Sequence, residues 1–171
     1  MTTTTKTTTQ PTTNPADPHT PTDFDSLAAQ PIGYWSWVAH EAVIRHIRTA
    51  MAHVDITQPQ WWILNHVHNA GEAGLRREQI GERLRPVVGI GSPEIGQAAD
   101  SLLARGWLTA DGDGLLHLTD AGREAKARTK EVVTRVRSEI HDGITDEEYV
   151  AALRVLRRMI DNTGGIDALI S

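Results

Sequence analysis

The chain has no cysteine. Disulfides, thiol nucleophiles, thiolate metal sites and cysteine-based redox sensing are therefore excluded. Phenylalanine and tyrosine are scarce, at one and two residues, against five tryptophans. Positive charge is not in excess either: 17 Lys and Arg against 22 Asp and Glu leave a formal charge of −5, so net charge alone does not mark a binder of polyanions. Within residues 57–119 the cations Arg76, Arg77, Arg83, Arg85 and Arg105 face Glu72, Glu78, Glu82, Glu94, Asp100, Asp111 and Asp113. No segment is a basic block, which argues against tight non-specific DNA binding. No apolar run approaches the roughly 18 residues of a membrane span, and no apolar stretch follows Met1 as a secretory signal would. The expectation is a soluble, cytoplasmic protein with no membrane partner.

With 171 residues the chain can bury one real core. Its first 25 or so residues are nearly all Thr, Pro, Asn and Asp, which bury too little apolar area to offset the entropy of ordering, and they read as a disordered tail. From Ile32 to about Asp55, Val38, Ile44, Ile47, Met51 and Val54 recur at helical spacing. Thr57 and Gln60 make a capping box with Pro59 in the first turn, opening a second helix through Trp61, Leu64 and Val67 that Gly71 and Gly74 end. A third, short helix covers Leu75 to about Leu84, with Pro86 as its stop and a glycine-containing turn over residues 87–91. Ser92 is a good N-cap for a fourth helix, whose stripe is Ile95, Ala98, Ala99, Leu102 and Leu103 and whose end is Gly106.

A hairpin signal follows: Trp107 to Ala110, the turn Asp111-Gly112-Asp113-Gly114, then Leu115 to Leu118. Thr119 or Asp120 caps a long fifth helix reaching His141, and Thr145 with Glu148 boxes a sixth that runs to Asn162. The apolar stripes of the first, fifth and sixth helices exceed what one small core can cover. A second copy of the chain would cover them.

Three local patterns resemble the MarR family of transcription regulators: Thr57, Pro59, Gln60, Trp61 and Leu64; Asp100, Leu102, Arg105, Gly106 and Trp107; and Leu118, Thr119 and Gly122. The resemblance spans about residues 32–163. It implies a mainly α fold with a small β-hairpin wing, a winged helix-turn-helix with an intertwined helical dimerisation region. The organisation would be a disordered tail at 1–28, dimerisation segments at 32–56 and 120–163, a DNA-binding region at 57–119 and a C-terminal tail at 164–171. It implies a homodimer that places two recognition helices in successive major grooves of a near-palindromic operator on double-stranded DNA. The chain departs from the family at the wing, which is short and carries two acids where members usually have an arginine, and in a longer link between third and fourth helices.

On the fourth helix, Ser92, Glu94, Gln97 and Ser101 lie opposite the apolar stripe and are the candidates to meet base edges, Gln97 by two hydrogen bonds to adenine. Arg76, Arg77 and Arg105, with Arg83 and Arg85, are candidates for phosphates; a polar, solvated surface is the plainer alternative. By the same resemblance a small aromatic or phenolic effector would sit at the junction of the first, second and fifth helices, with Trp37, His40, Arg45, Trp61 and His66 around it. Ordinary packing explains those tryptophans equally well. His66 and His68 are two apart, so a helix points them to different sides, and no metal or other cofactor is expected. No nucleophile with a base, phosphate loop or His-Glu-x-x-His occurs, so no enzyme is expected. Two functions stay open: a ligand-responsive DNA-binding regulator, and a winged-helix dimer that has lost DNA binding and acts through protein contacts.

Overall fold

Two capping boxes and two glycine ends punctuate the helices of the computed structural model, which describes residues 24–88 and 93–165. The elements are α1 (Phe24–Ala28), α2 (Ile32–Ala52), α3 (Gln58–Ala70), a 3-10 turn (Gly71–Ala73), α4 (Arg77–Val88), α5 (Pro93–Ala104), β1 (Leu108–Ala110), β2 (Leu116–Leu118), α6 (Asp120–Ile140) and α7 (Asp146–Asn162). Six of the helices are the six read from the sequence, α2 being the first of those. The addition is α1, which takes up the last residues of the segment expected to be a disordered tail. The described residues fall into two units, through Ala39 and from His40 onward, with α2 running through both.

The core of the second unit is shared by every layer of its central region. Ile63, Leu64 and Val67 of α3, Ile80 and Leu84 of α4, Ile95, Ala98, Ala99 and Leu102 of α5, Leu108 of β1 and Leu116 of β2 bury together, with Met51 and Ile56 closing one side. A smaller cluster joins Ala50 of α2 to Val132 and Val136 of α6. The strands pair antiparallel with Leu108 opposite Leu118 and Ala110 opposite Leu116.

Two readings need correction. Leu75 does not begin a helix: its N–H and C=O pair with Leu116 across an isolated bridge, at 3.2 and 2.9 Å, adding a one-residue third strand to the hairpin. Nor does Pro86 stop α4, which continues to Val88. A proline costs a helix the bond of its own N–H, and two residues from the end little of the ladder remains to be broken. Of the turn expected at residues 87–91, Val87 and Val88 are helical, and the remainder, with the Ser92 N-cap, lies outside the described residues.

The Leu118-Thr119-x-x-Gly122 pattern has a steric explanation. Thr119 caps α6 by accepting from Gly122 N at 3.0 Å, donates to Gly106 O at 2.6 Å, and its N–H reaches Trp107 O at 3.2 Å. This draws the first turn of α6 over the Trp107 carbonyl, where a Cβ on Gly122 would stand 2.0 Å from that oxygen. Only glycine fits there.

Candidate nucleic-acid interface

Helix α5 turns one face inward and leaves the other free. Ile95, Ala98, Ala99 and Leu102 are buried, while Glu94 and Gln97 are exposed. Gly106, at φ 65°, ends the helix with a paired cap in which Trp107 N bonds Leu102 O and Gly106 N bonds Leu103 O, both at 2.9 Å. The helix is thus held rigidly at the end nearer the hairpin.

Of the four base-reading candidates, Glu94 and Gln97 face solvent, Ser92 falls outside the described residues, and Ser101 is half-buried. Ser101 accepts a 2.9 Å hydrogen bond from Gln60 Nε2. Gln60 is itself 6% exposed, and its Oε1 accepts from Thr57 N at 2.9 Å in the capping box that starts α3. One buried amide therefore both caps α3 and fastens it to α5.

Three of the candidate phosphate cations, Arg76, Arg77 and Arg105, are engaged in the protein. Arg77 pairs with Asp100 at 2.5 Å. Arg105 holds the Asp55 carboxylate at 2.8 Å and the Asp55 carbonyl at 2.6 Å while lying 3.7 Å above the Trp107 ring. Asp55 sits at φ 55°, a left-handed turn residue that this clamp secures. Arg76 donates to the Asp113 carbonyl at 2.8 Å and so ties down the wing tip. The wing tip is also closed from within: Asp111 accepts from Asp113 N at 3.0 Å and Leu115 N at 2.9 Å, and its Oδ2 lies 3.0 Å from His117 Nε2. The His117 bond, then those backbone bonds, hold the Asp111 carboxyl below the usual carboxylate range.

The described residues form several recesses, three of which bear on the candidate residues. An open groove of about 710 Å³ runs between α5 and the junction of α2 with α3, lined on one side by Glu94, Gln97 and Ser101 and on the other by Arg48, Gln58 and Trp62. A second, of about 370 Å³, lies behind the wing among His68, Glu72, His117 and Arg123. The third, about 360 Å³, is a recess on α2 that His40 and Arg45 line with Glu41 and Arg48.

The effector candidates are spread more widely. Trp37 is 61% exposed in the first unit. Trp61 packs against the main core with Lys126 of α6 above its ring, at 5.9 Å. His66 feels Arg83 of α4, and burial first and that guanidinium second lower its pKa. None of the three recesses holds His40 together with Trp61 or His66.

The groove wall facing α5 also carries Arg48, Gln58 and Gln60, to which the sequence reading gives no binding role. The Thr57-x-x-Gln60 box carried the signal for two of them, since it fixes which way the first turn of α3 points. Among the described residues no helix is long and apolar enough to cross a membrane, and no three His, Asp or Glu side chains cluster as a metal site.

No family model and no curated protein matches the sequence. Solved structures do. The PcaV transcriptional regulator from Streptomyces coelicolor is 24% identical over 78% of this chain and 98% of its own, with a TM-score of 0.65. A Mycobacterium tuberculosis MarR family protein in complex with DNA is 17% identical over 80% of this chain and 99% of its own, with a TM-score of 0.59. The chain has the MarR winged-helix fold. The transcriptional repressor CouR, bound to p-coumaroyl-CoA, is similar as well, at 26% identity over 78% of this chain and 94% of its own, with a TM-score of 0.61.

Proposed function

We propose that this protein is a ligand-responsive, DNA-binding transcription regulator that acts as a homodimer on a near-palindromic operator. The observation that carries the DNA reading is α5: a helix anchored by its apolar side and its C-terminal cap, with Glu94 and Gln97 turned outward on a winged-helix frame. Similar folds include one solved with DNA and one with an aromatic acyl thioester. Gln97, Glu94, Ser92 and Ser101 are the proposed base-reading set, and Arg76, Arg77 and Arg105 the proposed phosphate neighbours.

The dimer is supported by α7, which buries none of its residues yet exposes Val150, Leu153, Val155, Met159 and Ile160. The effector is proposed to be a small aromatic or phenolic acid bound through Trp37, His40, Arg45, Trp61 and His66. His40 and Arg45 are the pair that already share a recess. The acidic wing favours the second reading, a dimer that acts through protein contacts, because Asp113 stays exposed at the tip.

The deciding experiment is a titration of DNA from upstream of the protein's own gene, followed by gel shift against random competitor. Binding is expected, and Gln97→Ala should cost about 1–3 kcal/mol on the preferred site and little on random DNA. Absence of any shift, with a dimer present in sedimentation, would overturn the DNA reading in favour of protein contacts.

A further inference from the structure

A helix lying in a major groove has a sugar-phosphate strand along each flank, so the wall beside α5 matters as much as α5 itself. Cations whose charge is already met by a carboxylate, as Arg77's is by Asp100 and Arg105's by Asp55, have less to offer a phosphate. Arg76 is held at a wing tip that also carries Asp111 and Asp113. Arg48 is in a different position. It is exposed, one turn from the end of α2, and lines the 710 Å³ groove opposite Glu94 and Gln97. Among the described residues no carboxylate lies within ion-pair reach of it, and its Nε donates to the neutral Gln58 Oε1 at 3.3 Å.

We propose that this groove seats one backbone strand of the DNA that α5 reads, with the Arg48 guanidinium on a phosphate and Gln58 as a positioning residue for it. The proposal rests on the DNA-binding function above. The chemistry of the two walls is consistent with it. A guanidinium presents a planar fork of donors to phosphate oxygens. On the facing wall Glu94 repels phosphate but can accept from a cytosine amino group, which keeps the strand on the Arg48 side and a base edge on the Glu94 side. Ala52 and Pro59 add apolar surface to the groove lining.

The test is DNA affinity against salt for the full chain, comparing wild type with Arg48→Ala, Arg48→Lys and Gln58→Ala. Each phosphate contact contributes roughly 0.9 to the slope of log affinity on log salt, so Arg48→Ala should flatten it by about 1.8 per dimer. Between 50 and 200 mM salt the variant's affinity should then fall about tenfold less than wild type's. The loss should be equal on preferred and random DNA, unlike that of Gln97→Ala. Arg48→Lys should restore the slope, a rescue that a purely structural role would not show. Gln58→Ala should weaken binding without changing the slope. An unchanged slope in Arg48→Ala, with Gln97→Ala still losing specificity, overturns the groove proposal alone. Failure of wild type to bind DNA at any salt overturns it together with the function it rests on.

Discussion

Helices α5 and α7 are both amphipathic, both carry acids in the first turn, and both end on a glycine-containing turn, yet they are buried very differently. Helix α5 sinks Ile95, Ala98, Ala99 and Leu102 into the core, whereas α7 buries nothing and leaves Leu153 41% and Val155 50% exposed. An apolar stripe forms only where burial repays it, at roughly 1.5–3 kcal/mol for each large side chain. The partner of α5 is inside this chain. Among the described residues α7 has no such partner, and a second copy is the one proposed for it.

The largest effects should separate those two helices. Leu102, fully buried, sits where α5 meets α3 and the wing; Leu102→Ala should cost about 2–5 kcal/mol in denaturant unfolding. Leu153→Asp should act on assembly instead. Wild type should sediment at about twice 18.8 kDa, and its melting temperature should rise with protein concentration. In Leu153→Asp both signs of the dimer should vanish. A variant that still sediments as a dimer would move the interface off α7 and break the comparison.

What was legible in the sequence follows the same division. Elements announced by local chemistry were readable: the Thr57 and Thr145 capping boxes, the Gly106 cap and the Asp111–Gly114 turn are all made by hydrogen bonds between near neighbours in the chain. Roles set by distant partners were not. Nothing local says that Arg105 reaches back to Asp55, fifty residues earlier, or that Gln60 crosses to Ser101. Leu75 was misread because its pairing partner, Leu116, lies across the fold. The site suffered more than the fold for that reason, since its arginines are long side chains whose partners are tertiary.

A smaller effect is expected at the wing, where Asp111 and Asp113 differ in the way that α5 and α7 do. Asp111 is occupied by the turn and His117, while Asp113 offers its carbonyl to Arg76 and its carboxylate to solvent. Because the contact uses the backbone, Asp113→Arg should keep the wing's shape while replacing an anion with a cation. Binding to all DNA sequences should tighten and the salt slope steepen. If neither changes, the wing does not approach DNA.

The smallest effect lies inside the α3–α4 packing and can be read without DNA. Burial, and secondarily the Arg83 guanidinium, disfavour the His66 imidazolium, so its folded pKa lies below the ordinary value of about 6.5. The unfolded chain therefore takes up this proton first as pH falls. The neutral ring's contribution to stability is complete above that ordinary value and declines as pH drops through it toward the folded pKa. An NMR titration of the His66 ring should show the lowered midpoint directly. Arg83→Ala should raise it only part of the way, because burial is the larger cause and remains. A full return to the ordinary value in Arg83→Ala would mean that charge rather than packing sets this site.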